Sequence, residues 1–207
     1  MEANSSFGSS SSVQKTKKLV GMAIFTAVVV VLQVIAYAVK VGPVSVTLVL
    51  IPVVVGAAMY GVGAGAFLGG VFGVVVLIGT ISGVDPGAFV LWSARPLITA
   101  LLCLVKGIAA GYLAGVVFKA IAKKPKYLYL GVIIAAIVSP VVNTGIFLAA
   151  MVIFYHDTLV SWAGGTSLVY FTLIGLTGWN FIVELGSNII LSPVAVRVIK
   201  AGKRSAV

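Results

Sequence analysis

The sequence predicts an all-α membrane protein, a bundle of six transmembrane helices with both termini in the cytoplasm. Three observations predict it. Of the 207 residues 61% are hydrophobic and only 9% are charged, with a mean hydropathy of +1.22, whereas soluble domains are about half apolar and about a quarter charged. The apolar stretches divide into six pieces near the roughly 20 residues that a helix needs to cross a bilayer. The Lys and Arg residues cluster at three places that share one side only if the number of crossings is even.

In chain order, "MEANSSFGSSSSVQ" is Ser-rich with nothing to bury, so residues 1–16 read as a disordered tail. The run that follows is too long for the apolar core of a signal peptide. The six-helix domain occupies residues 17–200, and 201–207 form a short basic C-terminal tail. Its helices are expected over Leu19–Val39, Val44–Tyr60, Gly61–Ile81, Phe89–Phe118, Leu128–Tyr155 and Leu168–Ile199. In the third, Gly61, Gly65, Gly69 and Gly73 fall four apart on one face, the pattern of close helix packing.

The net charge of +10 comes from Lys15, Lys17 and Lys18, from Lys119, Lys123, Lys124 and Lys126, and from Arg197, Lys200, Lys203 and Arg204. The opposite side carries a nearly balanced set, Lys40, Asp85, His156 and Asp157. This is the positive-inside pattern of a multi-pass protein of the cell membrane. It leaves no solvated basic face to track a nucleic acid. Cys103 has no disulfide partner and reads as a buried apolar thiol.

Three ionisable residues fall within the predicted helices: Arg95, Lys106 and Glu184. Each costs about 2.5 to 3.5 kcal/mol at a helix centre, so each requires a reason to be there. Arg95 and Lys106 are eleven apart, close to three turns, and would share a face of the fourth helix. Counted from the external helix ends, Lys106 lies about 25 Å deep and Glu184 about 24 Å deep, so the two can form a structural ion pair. Arg95 is only about 9 Å from the outer end. It either snorkels or pairs with Asp85 or Asp157, or it binds an anionic group of a ligand.

Asn180, Glu184 and Asn188 recur every four residues along the sixth helix, and Asn143 follows Pro140 in the fifth. Any one of these amides could be interhelical glue. Together with Trp92 and Trp179 they suggest a site for a small polar ligand. No nucleotide-binding loop, no metal-ligating Cys or His cluster and no catalytic constellation is present in the sequence, and His156 sits at a loop edge. The sequence therefore predicts no cofactor, no metal and no enzyme. Any energy for transport must come from another chain.

The segments "LIPVVVGAAMYGVGAGAFLGGVFG", "ARPLITALLCLVKGIAAG" and "SPVVNTGIF", with "AIFTA" in the first helix, resemble the substrate-binding (S) components of energy-coupling factor (ECF) transporters. These are vitamin uptake systems of bacteria and archaea, and the likeness includes their pantothenate-type branch. The resemblance implies a subunit that captures a vitamin at its outer face and docks on a transmembrane coupling protein driven by two cytoplasmic ATPase subunits. It implies that Ala23 and Ala27 meet the coupling protein. It also implies a pocket in the outer half built from the fourth to sixth helices, closed by external loops that include those corresponding to "AVKVGPVS" and "TISGVDPGAF". Arg95, Trp92, Asn143, Trp179, Asn180 and Glu184 would then contact substrate. Pantothenate, with a carboxylate, an amide and two hydroxyls, suits an Arg at the mouth above amides. A riboflavin, folate or pyridoxine type of substrate stays open. So does a different class, a stand-alone facilitator or channel, or an assembly factor without a ligand. A channel would need a polar stripe reaching both faces, and the inner half is apolar apart from Lys106 and Glu184.

Overall fold

Six helical crossings, five of full length and one short, organise the chain in the computed structural model. It describes residues 6–38, 40–41, 44–45 and 48–204, with side chains over 14–38, 48–178 and 180–202. The elements run α1 (Ser6–Ala36), β1 (Lys40–Val41), β2 (Val44–Ser45), α2 (Leu50–Tyr60), α3 (Val62–Ile81), α4 (Pro86–Ala94), α5 (Pro96–Ile121), a 3₁₀ turn (Pro125–Tyr127), α6 (Leu128–Phe154), α7 (His156–Ala163), α8 (Leu168–Leu176) and α9 (Gly178–Arg204). The last six residues of α8 are π-helical. Full-length apolar spans lie in α1, α3, α5, α6 and α9.

The short crossing is α2. Its 11 residues cover about 16 Å, roughly half the hydrocarbon thickness. They pack in the inner half, where Val54, Val55 and Ala58 meet Phe118, Leu128 and Ile199 from α5, α6 and α9. With α2 the crossings number six, so both termini lie on the side of the basic clusters, the cytoplasm.

The α3–α5 contact follows from the glycines. A Cβ at Gly65 would fall on the carbonyl oxygen of Gly111, and one at Gly69 on that of Gly107, so the two backbones touch directly. Gly73 makes the same approach to the backbone of Cys103. Gly61 does not belong to this seam. It sits between α2 and α3 at φ 99°, with open space around its missing side chain. Its role is the turn, because L-residues resist positive φ.

Four helix boundaries differ from the sequence reading, each for a local reason. Helix α1 begins at Ser6, so most of the stretch read as a disordered tail is helical, and residues 1–5 lie outside the described residues. Val44, Ser45, Leu48 and Val49 lie outside α2. Val44 and Val41 pair in an antiparallel hairpin, with Gly-Pro between the strands in the sequence where a helix would otherwise run through. The fourth helix is two, α4 and α5, broken at Arg95. There the following Pro96 disfavours helical backbone, and Arg95 takes φ −147°, ψ 80°. The sixth is also divided: α8 ends at Leu176, and α9 starts afresh at Gly178 and runs to Arg204, into the segment read as a tail.

Candidate functional site

These interruptions all lie toward the outer face, and they leave room there that continuous helices would fill. Each is satisfied locally. At the α4–α5 break the carbonyl of Arg95 accepts from the Thr99 amide at 3.0 Å and from the Thr99 hydroxyl at 2.9 Å. The Tyr155 hydroxyl, 2.7 Å from that of Thr99, also donates to it at 3.3 Å. At the start of α4, Asp85 accepts from the Ala88 amide at 3.2 Å, an N-cap followed by Pro86 at the first helical position. Inside α6, Pro140 has no N–H to give to the carbonyl of Ala136. Asn188 of α9 supplies the missing donor, its Nδ2 lying 3.3 Å from that carbonyl.

The resulting cavity lies in the outer half. Its walls come from α3 (Phe72, Thr80), α5 (Thr99, Lys106), α6 (Asn143, Phe147) and α9 (Asn180, Glu184). The end of α1 adds Gln33, followed by Tyr37. Over it lie Asp85, Leu91 of α4, Trp162 of α7 and Thr177 at the α8–α9 break. Polar groups converge on an otherwise aromatic and aliphatic lining, the usual makeup of a small-molecule site. Below it the buried polar residues Ser139, Asn188 and Ser192 continue inward between α6 and α9, and the apolar α2–α5–α6–α9 cluster lies beneath them.

The residues singled out in the sequence separate here. Asn143, Asn180, Glu184 and Lys106 line one cavity. Trp92 is half-buried on α4 and is not among the lining residues. Arg95 is exposed at the α4–α5 break, also outside the lining. Because it caps both helices, the face it was expected to share with Lys106 does not exist. The Trp179 side chain lies outside the described residues. Ala23 and Ala27 lie on the exposed side of α1, and Cys103 is buried with a free thiol.

The depths also change, because both helices begin later than the sequence reading assumed. Lys106 is ten residues into α5, about 15 Å, and Glu184 six residues into α9, about 9 Å. The expected ion pair between them is not formed. The ammonium of Lys106 lies 5.5 Å from the centroid of the Phe147 ring, a cation–π contact. The Oε1 of Glu184 has no hydrogen-bond partner.

Sequence reasoning missed Trp162, Phe147, Thr99 and Thr177 as lining residues, and it placed Asp85 only in a loop. Asp85 carried a readable signal, since Asp-Pro before an apolar run is a helix start. Thr177 carried none, because the α8–α9 break at which it lies is not marked by proline, and Trp162 lies on the separate short helix α7, which the sequence reading treated as part of a loop.

A family model described as "ECF transporter, substrate-specific component" matches residues 17–196. No curated protein and no solved structure gives a significant match.

Proposed function

The chain belongs to the family of substrate-specific components of ECF transporters, and within that family we propose that it captures pantothenate. Membership makes it the substrate-capture subunit of an importer, a multi-pass protein of the cell membrane that associates with components of an ECF module. The finer reading rests on one observation. Among the described residues, Lys106 is the cation that lines a cavity also presenting Asn143, Asn180 and Glu184. In this reading the vitamin's carboxylate meets Lys106, and its hydroxyls and amide meet the amides and the carboxylate of Glu184. Its methyl groups pack against Phe72 and Phe147. The anion-binding role that the sequence suggested for Arg95 passes to Lys106, because an exposed guanidinium outside the lining gives up most of its interaction to water.

Docking is proposed through α1, on a transmembrane coupling protein that works with two ATPase subunits. Ala23 and Ala27 lie on the exposed side of that helix near Val20, Ile24 and Val31, and small residues allow close backbone approach.

Two measurements test the reading. Mass spectrometry of small molecules retained through purification, followed by calorimetric titration, should identify pantothenate. Retention of a different vitamin, with no heat from pantothenate, would replace the substrate while leaving the family role intact. Separately, Ala27→Trp should abolish ATP-driven uptake in the complete transporter and leave binding by the isolated subunit unchanged. Loss of both would give Ala27 a role in folding instead.

A further inference from the structure

Two facing helices carry buried oxygens that have no hydrogen-bond partner, two of them on residues that also line the vitamin cavity. Ser139 and Asn143 are four residues apart on α6, and Glu184 and Asn188 four apart on α9. The Asn188 to Ala136 bond fixes how these helices lie against each other. α6 runs outward and α9 inward, so Ser139 falls at the level of Asn188, and Asn143 at the level of Glu184 one turn closer to the cavity. Ser139 and Asn188 are 0% exposed, Glu184 5% and Asn143 6%. The Ser139 Oγ, Asn143 Oδ1, Glu184 Oε1 and Asn188 Oδ1 all lack a hydrogen-bond partner.

Four such atoms at neighbouring levels of two packed helices invite one explanation, because each buried polar group without a partner costs about 1 to 3 kcal/mol. The chemistry narrows it. A carboxylate oxygen accepts only, and Asn188 is turned so that its amide nitrogen faces the Ala136 carbonyl, leaving its oxygen as an acceptor too. Three of the four oxygens can therefore only accept, which a cation held among them would satisfy at once. Lys106 acts on Glu184 only through space, because its ammonium lies over Phe147, the residue one turn outward from Asn143, and hydrogen-bonds to none of the four oxygens. One carboxylate with three neutral oxygens matches a hard monovalent cation. A divalent ion takes more oxygens and, in a low-dielectric site, more carboxylates.

We propose that Ser139, Asn143, Glu184 and Asn188 bind a single sodium ion beneath the vitamin cavity. The ion reaches the site from the outer face, since Asn143 and Glu184 also line the cavity. It neutralises Glu184 and joins α6 to α9 at the point where Pro140 weakens the α6 ladder. The amide nitrogen of Asn143 and the second oxygen of Glu184 stay available to the cavity above.

The test uses the purified full-length subunit in detergent with no vitamin added, so its result is independent of the substrate reading. Thermal unfolding is followed while NaCl replaces choline chloride at constant ionic strength. The unfolding temperature should rise with sodium and saturate. Ser139→Ala, which removes one oxygen and little volume, should need about ten times more sodium for the half-maximal rise, with its unfolding temperature in choline chloride unchanged. Identical transitions in the two salts would mean that the four oxygens hold only water, and the proposal would fall. A sodium response in Ser139→Ala equal to that of the unaltered protein would place the ion elsewhere and overturn it equally.

Discussion

The inner and outer halves of this bundle are built on opposite rules. In the inner half, helices run unbroken, glycines let α3 and α5 touch backbone to backbone, and an apolar cluster fills the space between α2, α5, α6 and α9. In the outer half α2 is missing, α4–α5 and α8–α9 are broken, and buried polar side chains point into a cavity. Bilayer hydrocarbon offers no partner to exposed backbone groups, so irregular backbone at membrane depth survives only where protein covers it. Here the Thr99 and Tyr155 hydroxyls do this at one break. The contrast teaches a division of labour, in which the inner half holds the fold together and the outer half leaves the cavity in which the proposed ligand would sit.

The largest effect that separates the halves is expected at Gly69. Replacing it with Leu forces a side chain into the Gly107 backbone, an overpacking that costs about 3 kcal/mol or more. Gly69→Leu should abolish the monodisperse folded protein in size-exclusion chromatography, and binding with it. A folded Gly69→Leu subunit would mean that the α3–α5 seam is not a close contact.

Next comes Lys106→Met in the outer half. Loss of a charge-assisted contact worth about 1.5 to 3 kcal/mol should weaken pantothenate binding by roughly ten- to a hundredfold in calorimetry. The ligand-free protein should still unfold cooperatively. Unchanged affinity would remove Lys106 from recognition.

A smaller effect is expected at Gly61, whose backbone at φ 99°, ψ 175° penalises an L-residue by about 1 to 3 kcal/mol. Gly61→Ala should lower the unfolding temperature by a few degrees without altering affinity. A gain in stability would show that the turn between α2 and α3 relaxes freely.

The smallest is Arg95→Gln, exposed and outside the lining. Affinity for the acid should stay within about twofold, by the weak worth of exposed charges. A loss matching that of Lys106→Met would return the anion site to the helix break and dissolve the distinction between the two cations.

By itself the sequence determined the membrane class, the six crossings, the sidedness and the glycine seam. These depend on composition and on periodicities local to single helices. It also marked Asn143, Asn180 and Glu184 as belonging together, because a polar group inside an apolar run is conspicuous wherever the helix goes. Pro96 was legible too, but it was read as part of a continuous helix, and that one omission put Arg95 on a false face and Lys106 too deep. The α8–α9 break, which has no such marker, did the same for Glu184. Only the tertiary structure decided where Lys106 points, that Asn188 repairs the gap left by Pro140, and that Trp162 comes over the cavity. Each of these depends on which helices face one another at a given depth, and that is set by packing between segments far apart in the chain, which no local pattern encodes.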